Sequence, residues 1–278
     1  MRSESEQSNN PSSSGGASPP GEPSFGIQHS AFSIDEARDL VASPLWPRIR
    51  AFLWDFASLC DSARLTDSLV TRHSSLVTAE AILGSPRAAR AAEKALGLAP
   101  TFHSFPSTDS SRLLLLSRED YDRLAQFLGV VALAPALRRV TAGAEVRALK
   151  AALPGVYPEA LTFSAYFRKH EPIFRQVAPS DAAANAETVC SAGHSLLAMA
   201  HSGLPPELLL RQRLRFPVGS PADAALGGAS TPSEPPTTGT ADHSAFSIQH
   251  SALAGEALAA ARLALKLSNP QEYQQCFS

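Results

Sequence analysis

Cysteine is scarce in this sequence, with three occurrences among 278 residues. Cys60, Cys190 and Cys276 lie far apart, are odd in number and form no Cys-x-x-Cys pair. This pattern offers no disulfide framework and is typical of proteins from a reducing cytosol.

Long apolar runs are also missing. No run reaches the roughly 18 residues that a membrane-spanning helix needs. The first residues, Met-Arg-Ser-Glu-Ser-Glu-Gln, contain no hydrophobic region, so a secretory signal is not expected. The sequence therefore predicts a soluble protein of the cytoplasm.

A strong net charge is a third absence. The formal charge is −2, but residues 43–217 carry 20 basic and 15 acidic side chains, a net +5, and the flanking segments carry a net −7. A mildly basic body suits an acidic protein partner. It falls short of the dense basic face that nucleic-acid binding usually needs, so the sequence predicts no nucleic-acid partner.

Composition divides the chain into five segments. Residues 1–24 and 218–251 are rich in Ser, Pro, Gly and Thr and cannot bury enough apolar area to offset chain entropy. They are predicted to be a disordered tail and a disordered linker. Residues 43–217 form the predicted helical domain, 252–278 a C-terminal helix and tail, and 25–42 a segment that contains a repeat.

The repeat brackets the predicted domain. The hexapeptide His-Ser-Ala-Phe-Ser-Ile occurs at His29–Ile34 and again at His243–Ile248. One interpretation is a pair of amphipathic segments that pack together or bind a partner. The other is a translated genomic repeat in two tolerant places, and the near-identity of the copies favours it, because packing does not require identical sequence.

Apolar spacing predicts helices through most of the domain. Tyr121, Leu124, Leu128 and Val131 form one helical stripe after a capping-box spacing of Ser and Asp. Further helices are predicted over 79–97 and 136–152 and from Ser180–Asp181 onward. Residues 208–216 alternate between Leu or Phe and Arg, which predicts a half-buried strand. The expected fold is mainly α, one compact helical domain with at most one or two short strands.

The sequence contains no pattern that predicts catalysis or a cofactor. Its eight histidines include no metal-binding pair, and a Gly-x-Ser-x-Gly elbow and a phosphate-binding loop are both missing. Cys190 and His194 lie one helical turn apart and could form a thiolate pair. No third orienting residue is evident, and Cys190 falls on the apolar side, so structural roles are favoured. We expect no enzyme, metal or cofactor.

Arginines are the strongest candidates for partner contacts. Arg138 and Arg139 are adjacent, and Arg211, Arg213 and Arg215 share one side of the predicted strand. Guanidinium groups on an exposed face can bind carboxylates of another protein bidentately. The alternative interpretation, a solvated face without a partner, stays open at this point.

Several elements of the chain, taken in order, match one known family. They are Leu45-Trp46 with Ile49, Asp61-Ser62-Ala63 with Leu65, Leu113–Leu116, Leu128-Gly129-x-Val131, Arg138-Arg139-Val140, the helix 187–200 and Arg213–Pro217. In their order and spacing they resemble the cytoplasmic sorting-platform adaptor of bacterial type III secretion, the SctK/YscK family (Yop translocation protein K). The Ser/Pro-rich N-terminus, the linker and the two repeats depart from the family's pattern.

The resemblance implies a mainly α-helical, non-enzymatic adaptor at the cytoplasmic face of the inner membrane. It would bridge the cytosolic domain of the inner-membrane ring protein to the pod protein, which recruits the secretion ATPase complex. Two alternatives come from other classes: a small helical thiol enzyme that uses Cys190 and His194, and a cytoplasmic chaperone-like regulatory module.

Overall fold

The computed structural model describes residues 41–70, 78–98, 108–178, 183–230 and 243–277, and every regular element in these ranges is helical. This confirms the expected mainly α fold. No helix within these ranges has the length and apolar character to cross a membrane. Two 3₁₀ helices cover Phe56–Ser58 and Ser164–His170. The α-helices are α1 (Trp46–Trp54), α2 (Ser62–Val70), α3 (Ala79–Leu83), α4 (Pro86–Ala95), α5 (Asp109–Leu113), α6 (Arg118–Ala132), α7 (Ala134–Leu137), α8 (Gly143–Ala152), α9 (Val156–Phe163), α10 (Glu171–Val177), α11 (Ala186–Ala200), α12 (Pro206–Leu214), α13 (Pro221–Ser230), α14 (His243–Ser268) and α15 (Pro270–Phe277).

The centre of the fold is the pair α6 and α11, whose backbones approach each other very closely. A Cβ atom added at Gly129 would lie 1.9 Å from the Val189 oxygen, and one added at Gly193 would lie 1.7 Å from the Ala125 oxygen. Both distances are far below van der Waals contact, so only glycine fits at either position. On each helix the two contact residues are four positions apart, which places them on one face.

The buried side chains around this pair form the main core. Tyr121, Leu124, Leu128 and Val131 are all buried there, which confirms the helical stripe predicted from the sequence. Helices α9, α13 and α14 pack against α6 or α11 and close the core. Smaller apolar clusters join α1 to α12 and gather α2, α3 and α4.

Two helix ends follow the capping chemistry of the sequence. Ser117 caps α6 by accepting a hydrogen bond from the Asp120 amide at 3.0 Å, as the capping-box spacing predicts. Gly97 follows α4 with a φ of 79°, the left-handed conformation that commonly ends a helix. Local sequence is therefore sufficient to place these two boundaries.

Other helix boundaries differ from the predictions. The helix expected over 79–97 is divided into α3 and α4, because the Ser85 side chain caps a new helix. The helix expected over 136–152 is divided into α7 and α8. The helix expected to open at Ser180–Asp181 begins at Ala186.

The strand predicted over 208–216 is wrong, because this segment is mostly helix α12 and the turn that follows it. Leu208, Arg211, Gln212 and Arg215 are all buried, and their spacing of i, i+3, i+4 and i+7 is that of one helical face. The prediction of a strand depended on every arginine being exposed. Two of them are buried, so the apparent period of two did not report the secondary structure.

The disordered linker predicted over 218–251 is wrong at both of its ends. Its first part forms α13, in which Ala222, Asp223 and Leu226 are buried. Its last residues belong to α14, so the second copy of the repeat lies in a helix. The first copy and the predicted tail lie outside the described residues.

The C-terminal helices dock on the domain through polar contacts as well as apolar packing. Arg48 in α1 donates two hydrogen bonds to the Glu272 carboxylate in α15, at 2.5 and 2.9 Å. Arg112 donates to the Cys276 carbonyl at 3.2 Å. These contacts join α15 to α1 and α5.

Candidate partner-binding cleft

Two of the five candidate arginines are buried and hold the ends of other helices. Arg215 donates to the Leu114 and Leu116 carbonyls, at 2.8 and 2.6 Å, just beyond the end of α5. Arg211 donates to the Phe52 carbonyl near the end of α1, at 3.2 Å. Carbonyls at helix C-termini lack partners within the helix, and these side chains supply them. Burial lowers the pKa of both guanidinium groups, that of Arg215 to about 10.

The third arginine of the predicted row, Arg213, belongs to a cluster around Asp223. Its Nε donates to the Asp223 carboxylate at 2.7 Å, and Arg64 pairs with the same carboxylate. Asp223 also accepts a hydrogen bond from the Gly219 amide at 2.8 Å. Burial alone would raise the pKa of Asp223, but the hydrogen bonds from Gly219 and the two arginines lower it below its ordinary value. The predicted row of three exposed arginines is therefore wrong, and its members join helices instead.

Cys190 and His194 lack the geometry of a thiol enzyme. In the described part of the chain no hydrogen bond joins the two side chains, and His194 Nε2 lies 3.3 Å from the Asp122 carboxylate instead. The His194 ring stacks on Tyr121 with ring centroids 6.0 Å apart. Burial raises the pKa of the Cys190 thiol, whereas a nucleophilic cysteine needs a lowered pKa. The geometry gives the thiol-enzyme alternative no support.

Arg138 and Arg139, the remaining candidates, line a cleft of about 800 Å³. The cleft lies between the end of α6, the short helix α7, the second 3₁₀ helix and α10. Its apolar floor consists of buried side chains: Val131, Leu133, Phe167, Phe174 and Ala178. The cleft thus combines an apolar interior with basic residues that are exposed to solvent.

Two prolines place the elements that form the cleft. Pro135 lies in the first turn of α7, and its missing amide prevents α6 from continuing as one helix. Pro172 lies in the first turn of α10, directly after the 3₁₀ helix. Proline is tolerated in the first turn, where the amide has no partner within the helix. The two breaks in helical direction leave space between the segments.

Four arginines and one glutamate supply the charge of the cleft. Arg138, Arg139, Arg168 and Arg175 are exposed, and Glu171 is the single acidic residue among the described residues that line it. The Glu171 carboxylate accepts a hydrogen bond from Arg175 at 2.6 Å, an i, i+4 pair on α10. Among the described residues, neither Arg138 nor Arg168 forms an ion pair with an acidic side chain of the lining.

The arginines differ in how firmly the protein holds them. Arg138 donates to the Ser164 hydroxyl at 2.6 Å and to the Leu161 carbonyl at 3.3 Å, which fixes its guanidinium group beside the 3₁₀ helix. The side chain of Arg168 makes no hydrogen bond or ion pair within the described ranges. It is therefore available to an anionic group in the cleft.

The sequence pointed to Arg138 and Arg139 but not to the rest of the cleft. Residues 131–139 and 164–178 approach each other only in the folded chain, so no local pattern contains the whole site. The signal that could have pointed to it is the basic pair Arg168-Lys169, which follows the aromatic residues of the 3₁₀ helix.

Neither a metal site nor a known relative assigns a function to this cleft. Groups of three or more His, Cys, Asp or Glu side chains that could hold a metal ion are missing from the described ranges. Comparisons of the chain with protein-family models, curated proteins and solved structures found no match. The chemistry of the cleft itself favours an anionic group that carries apolar surface.

Proposed function

We propose that this protein is a non-enzymatic cytoplasmic adaptor of a type III secretion sorting platform. In this role it bridges the cytosolic domain of the inner-membrane ring protein to the pod protein, and through it to the ATPase complex. The adaptor acts at the cytoplasmic face of the inner membrane, which it reaches through its partners.

The observation that carries this proposal is the cleft lined by Arg138 and Arg139. These two residues, with Val140, are one of the sequence elements that resemble the adaptor family. An adaptor needs surfaces that bind other proteins, and interface anchors are often arginines beside apolar pockets. The mainly α fold agrees with the fold that the resemblance implies.

A second element of the resemblance, Arg213–Pro217, has a structural explanation in this chain. Arg215 holds the carbonyls that follow α5, and Phe216 is buried in the main core. The proposal therefore places partner contacts at the cleft and not at α12. This distinction makes the two arginine groups separable by mutation.

Co-purification tests the proposal directly. The protein is co-expressed with the tagged cytosolic domain of the ring protein and with the tagged pod protein from the same genome. We expect both to retain the wild-type protein, and we expect a variant with Arg138→Glu and Arg139→Glu to lose at least one of them. The matched control is Arg87→Glu, a charge reversal at an exposed residue of α4.

The melting temperature of each variant separates lost binding from lost folding. We expect all these variants to melt close to wild type, so that a variant that is not retained has lost binding and not its fold. If neither domain retains the wild-type protein at low salt, the proposed adaptor function is wrong.

A further inference from the structure

We infer that the cleft binds a short acidic segment of a partner protein, which places an apolar side chain on the cleft floor and carboxylates on the surrounding arginines. This inference rests on the proposed adaptor function, because it takes the occupant to be a protein. It adds the chemistry of the segment that the cleft recognises.

Charge selects an anionic occupant. Arg138 and Arg168 form no ion pair with an acidic residue of the lining, whereas Arg175 is paired with Glu171. Like charges gathered around one opening repel each other, and carboxylates placed between them would relieve the repulsion with charge-assisted hydrogen bonds. Guanidinium groups bind carboxylates in a bidentate manner, which also fixes the orientation of the bound segment.

The floor selects an occupant that also has apolar surface. Phe167 and Phe174 line the cleft at 1% and 5% exposure, and Val131 and Leu133 lie beside them. A volume of about 800 Å³ holds a few side chains and is too small for a folded domain. A segment with one large aliphatic or aromatic side chain between Asp or Glu residues matches both the floor and the arginines.

Nucleic acid and lipid surfaces match these features less well. A nucleic-acid groove usually combines a long basic stripe with exposed aromatic rings on which bases stack. Here the basic residues surround one opening, and the two aromatic rings of the lining are buried. Binding to an anionic membrane depends on a flat basic patch or an exposed apolar helix face, whereas these apolar side chains lie inside a cleft.

Fluorescence anisotropy with defined peptides tests the inference. The probes are short fluorescein-labelled peptides in which Phe, Leu or Trp is flanked by two Glu on each side, and the matched set carries Gln in place of Glu. We expect at least one acidic probe to bind the full chain with a Kd in the micromolar range and the Gln set to bind at least about tenfold more weakly. Added salt should weaken binding, because the arginines are exposed.

Two variants locate the binding site. Arg168→Glu reverses a charge that has no partner in the described structure, and Ala165→Trp fills the opening without changing charge, because Ala165 is an exposed residue of the lining. Each should weaken binding of the acidic probe by about tenfold or more. Their matched controls on α4, Arg87→Glu and Ala91→Trp, should leave it unchanged.

Three outcomes would overturn the inference. One is that no acidic probe binds below about 1 mM. Another is that both cleft variants bind as tightly as the controls. The third is that a single-stranded oligonucleotide, or vesicles of phosphatidylglycerol and phosphatidylcholine, bind more tightly than every peptide and lose binding in the cleft variants.

The same variants distinguish failure of this inference from failure of the proposed function. If the ring or pod domain co-purifies with Ala165→Trp and Arg168→Glu as well as with wild type, the adaptor function stands and the cleft is not its site. If acidic peptides bind the cleft but neither domain co-purifies, the cleft inference stands and the secretion role is wrong.

Discussion

At the scale of single residues, buried polar side chains decide how the helices of this protein meet. Arg215 is 3% exposed, yet it lies among apolar helices because each end of its guanidinium group meets a backbone carbonyl. Burying a polar group is costly unless it forms hydrogen bonds. Here the guanidinium group satisfies the two carbonyls, and the carbonyls accept its hydrogen bonds. The arginine is therefore a structural element of the core.

Replacing Arg215 by Leu should destabilise the protein. The change leaves the Leu114 and Leu116 carbonyls without their donors, at a cost of about 2–4 kcal/mol in the free energy of unfolding. Arg215→Lys should restore only part of this, because one ammonium group cannot occupy both positions of the guanidinium fork. Urea unfolding midpoints measure the effect, and Arg87→Leu, an exposed change, is the control. A midpoint equal to that of wild type would show that the carbonyls find other donors.

His201 makes stability depend on pH. Its ring is fully buried and stacks on Tyr121, and burial lowers its pKa from 6.5 to about 4. Between these values the unfolded chain binds a proton at His201 and the folded chain does not, so stability falls as the pH falls. The slope from this residue is about 1.4 kcal/mol per pH unit.

The variant His201→Gln isolates this contribution, because glutamine does not titrate. Urea unfolding at several pH values between 7 and 4, chosen to span the two pKa values, should show a smaller pH dependence in the variant than in wild type. Carboxylates titrate in both proteins, so only the difference between the two curves reports His201. Identical slopes would mean that the folded and unfolded chains bind a proton at His201 equally, so that burial does not lower its pKa.

Residue roles were predictable where they are local and unpredictable where they are tertiary. The cap at Ser117 and the left-handed Gly97 follow from neighbouring residues and were correct. The burial of Arg211 and Arg215 depends on carbonyls about 100 or more positions away, at Leu114 and Phe52, which no local pattern reveals.

At the scale of helices, the contact between α6 and α11 determines the centre of the fold. Gly129 and Gly193 allow the two backbones to meet, although glycine is a poor helix former. The helices accept this local cost because the close approach lets the surrounding side chains pack. An alanine at either position would favour each isolated helix and disrupt the pair.

The substitution Gly193→Ala should therefore destabilise the protein, although alanine favours a helix. Its Cβ would overlap the Ala125 carbonyl, so the backbones must separate, at a cost of about 2–3 kcal/mol or more. The matched control is Gly255→Ala in α14, where a Cβ meets nothing within 4 Å. That change should stabilise the protein by about 0.5–1 kcal/mol. A lower melting temperature for Gly193→Ala together with a higher one for Gly255→Ala would confirm the close contact. A higher melting temperature for both variants would contradict it.

Helices were easier to predict than their limits. The stripe of α6 has a clean apolar period and was correct, whereas α12 was mistaken for a strand because its helical face mixes Leu208 with Arg211, Gln212 and Arg215. Helix α13 was missed because its small residues looked like a linker. Its Asp223 accepts hydrogen bonds from two arginines, one of them in α2, and this tertiary contact is invisible in the sequence.

At the scale of the whole molecule, both the cleft and the C-terminal docking join segments that are distant in the chain. The sequence identified Arg138 and Arg139 as candidates for partner contacts, but not Arg168, Arg175 or the floor that accompanies them. Apolar side chains that line a cleft have the same periodic pattern as those that fill a core. The folded chain alone distinguishes the two.

The C-terminal helix α15 docks on α1 and α5 through a small set of directed contacts. Arg48 binds Glu272 with two hydrogen bonds, and this bond holds the pKa of Glu272 below its ordinary value. The buried face of α14 is rich in alanine, from Ala257 to Ala264, so it contributes less apolar area than larger side chains would. The ion pair is therefore a larger share of the docking free energy than it would be beside a leucine-rich face.

Cleavage of the chain between α13 and α14 tests this docking. A specific protease site is inserted within residues 231–242, and the cleaved protein is analysed by size-exclusion chromatography. We expect the C-terminal fragment to stay bound after cleavage, because its contacts with α1, α5, α6 and α11 do not require the connecting chain.

Glu272→Arg should weaken this association by about 1.5–3 kcal/mol, since the hydrogen bonds to a charged group are lost and like charges face each other. Adding Arg48→Glu to Glu272→Arg should recover part of the loss by restoring opposite charges, whereas adding Arg87→Glu should recover none. A fragment that separates immediately after cleavage would show that the connection holds the helices in place, and a double variant no better than Glu272→Arg would show that the ion pair contributes nothing.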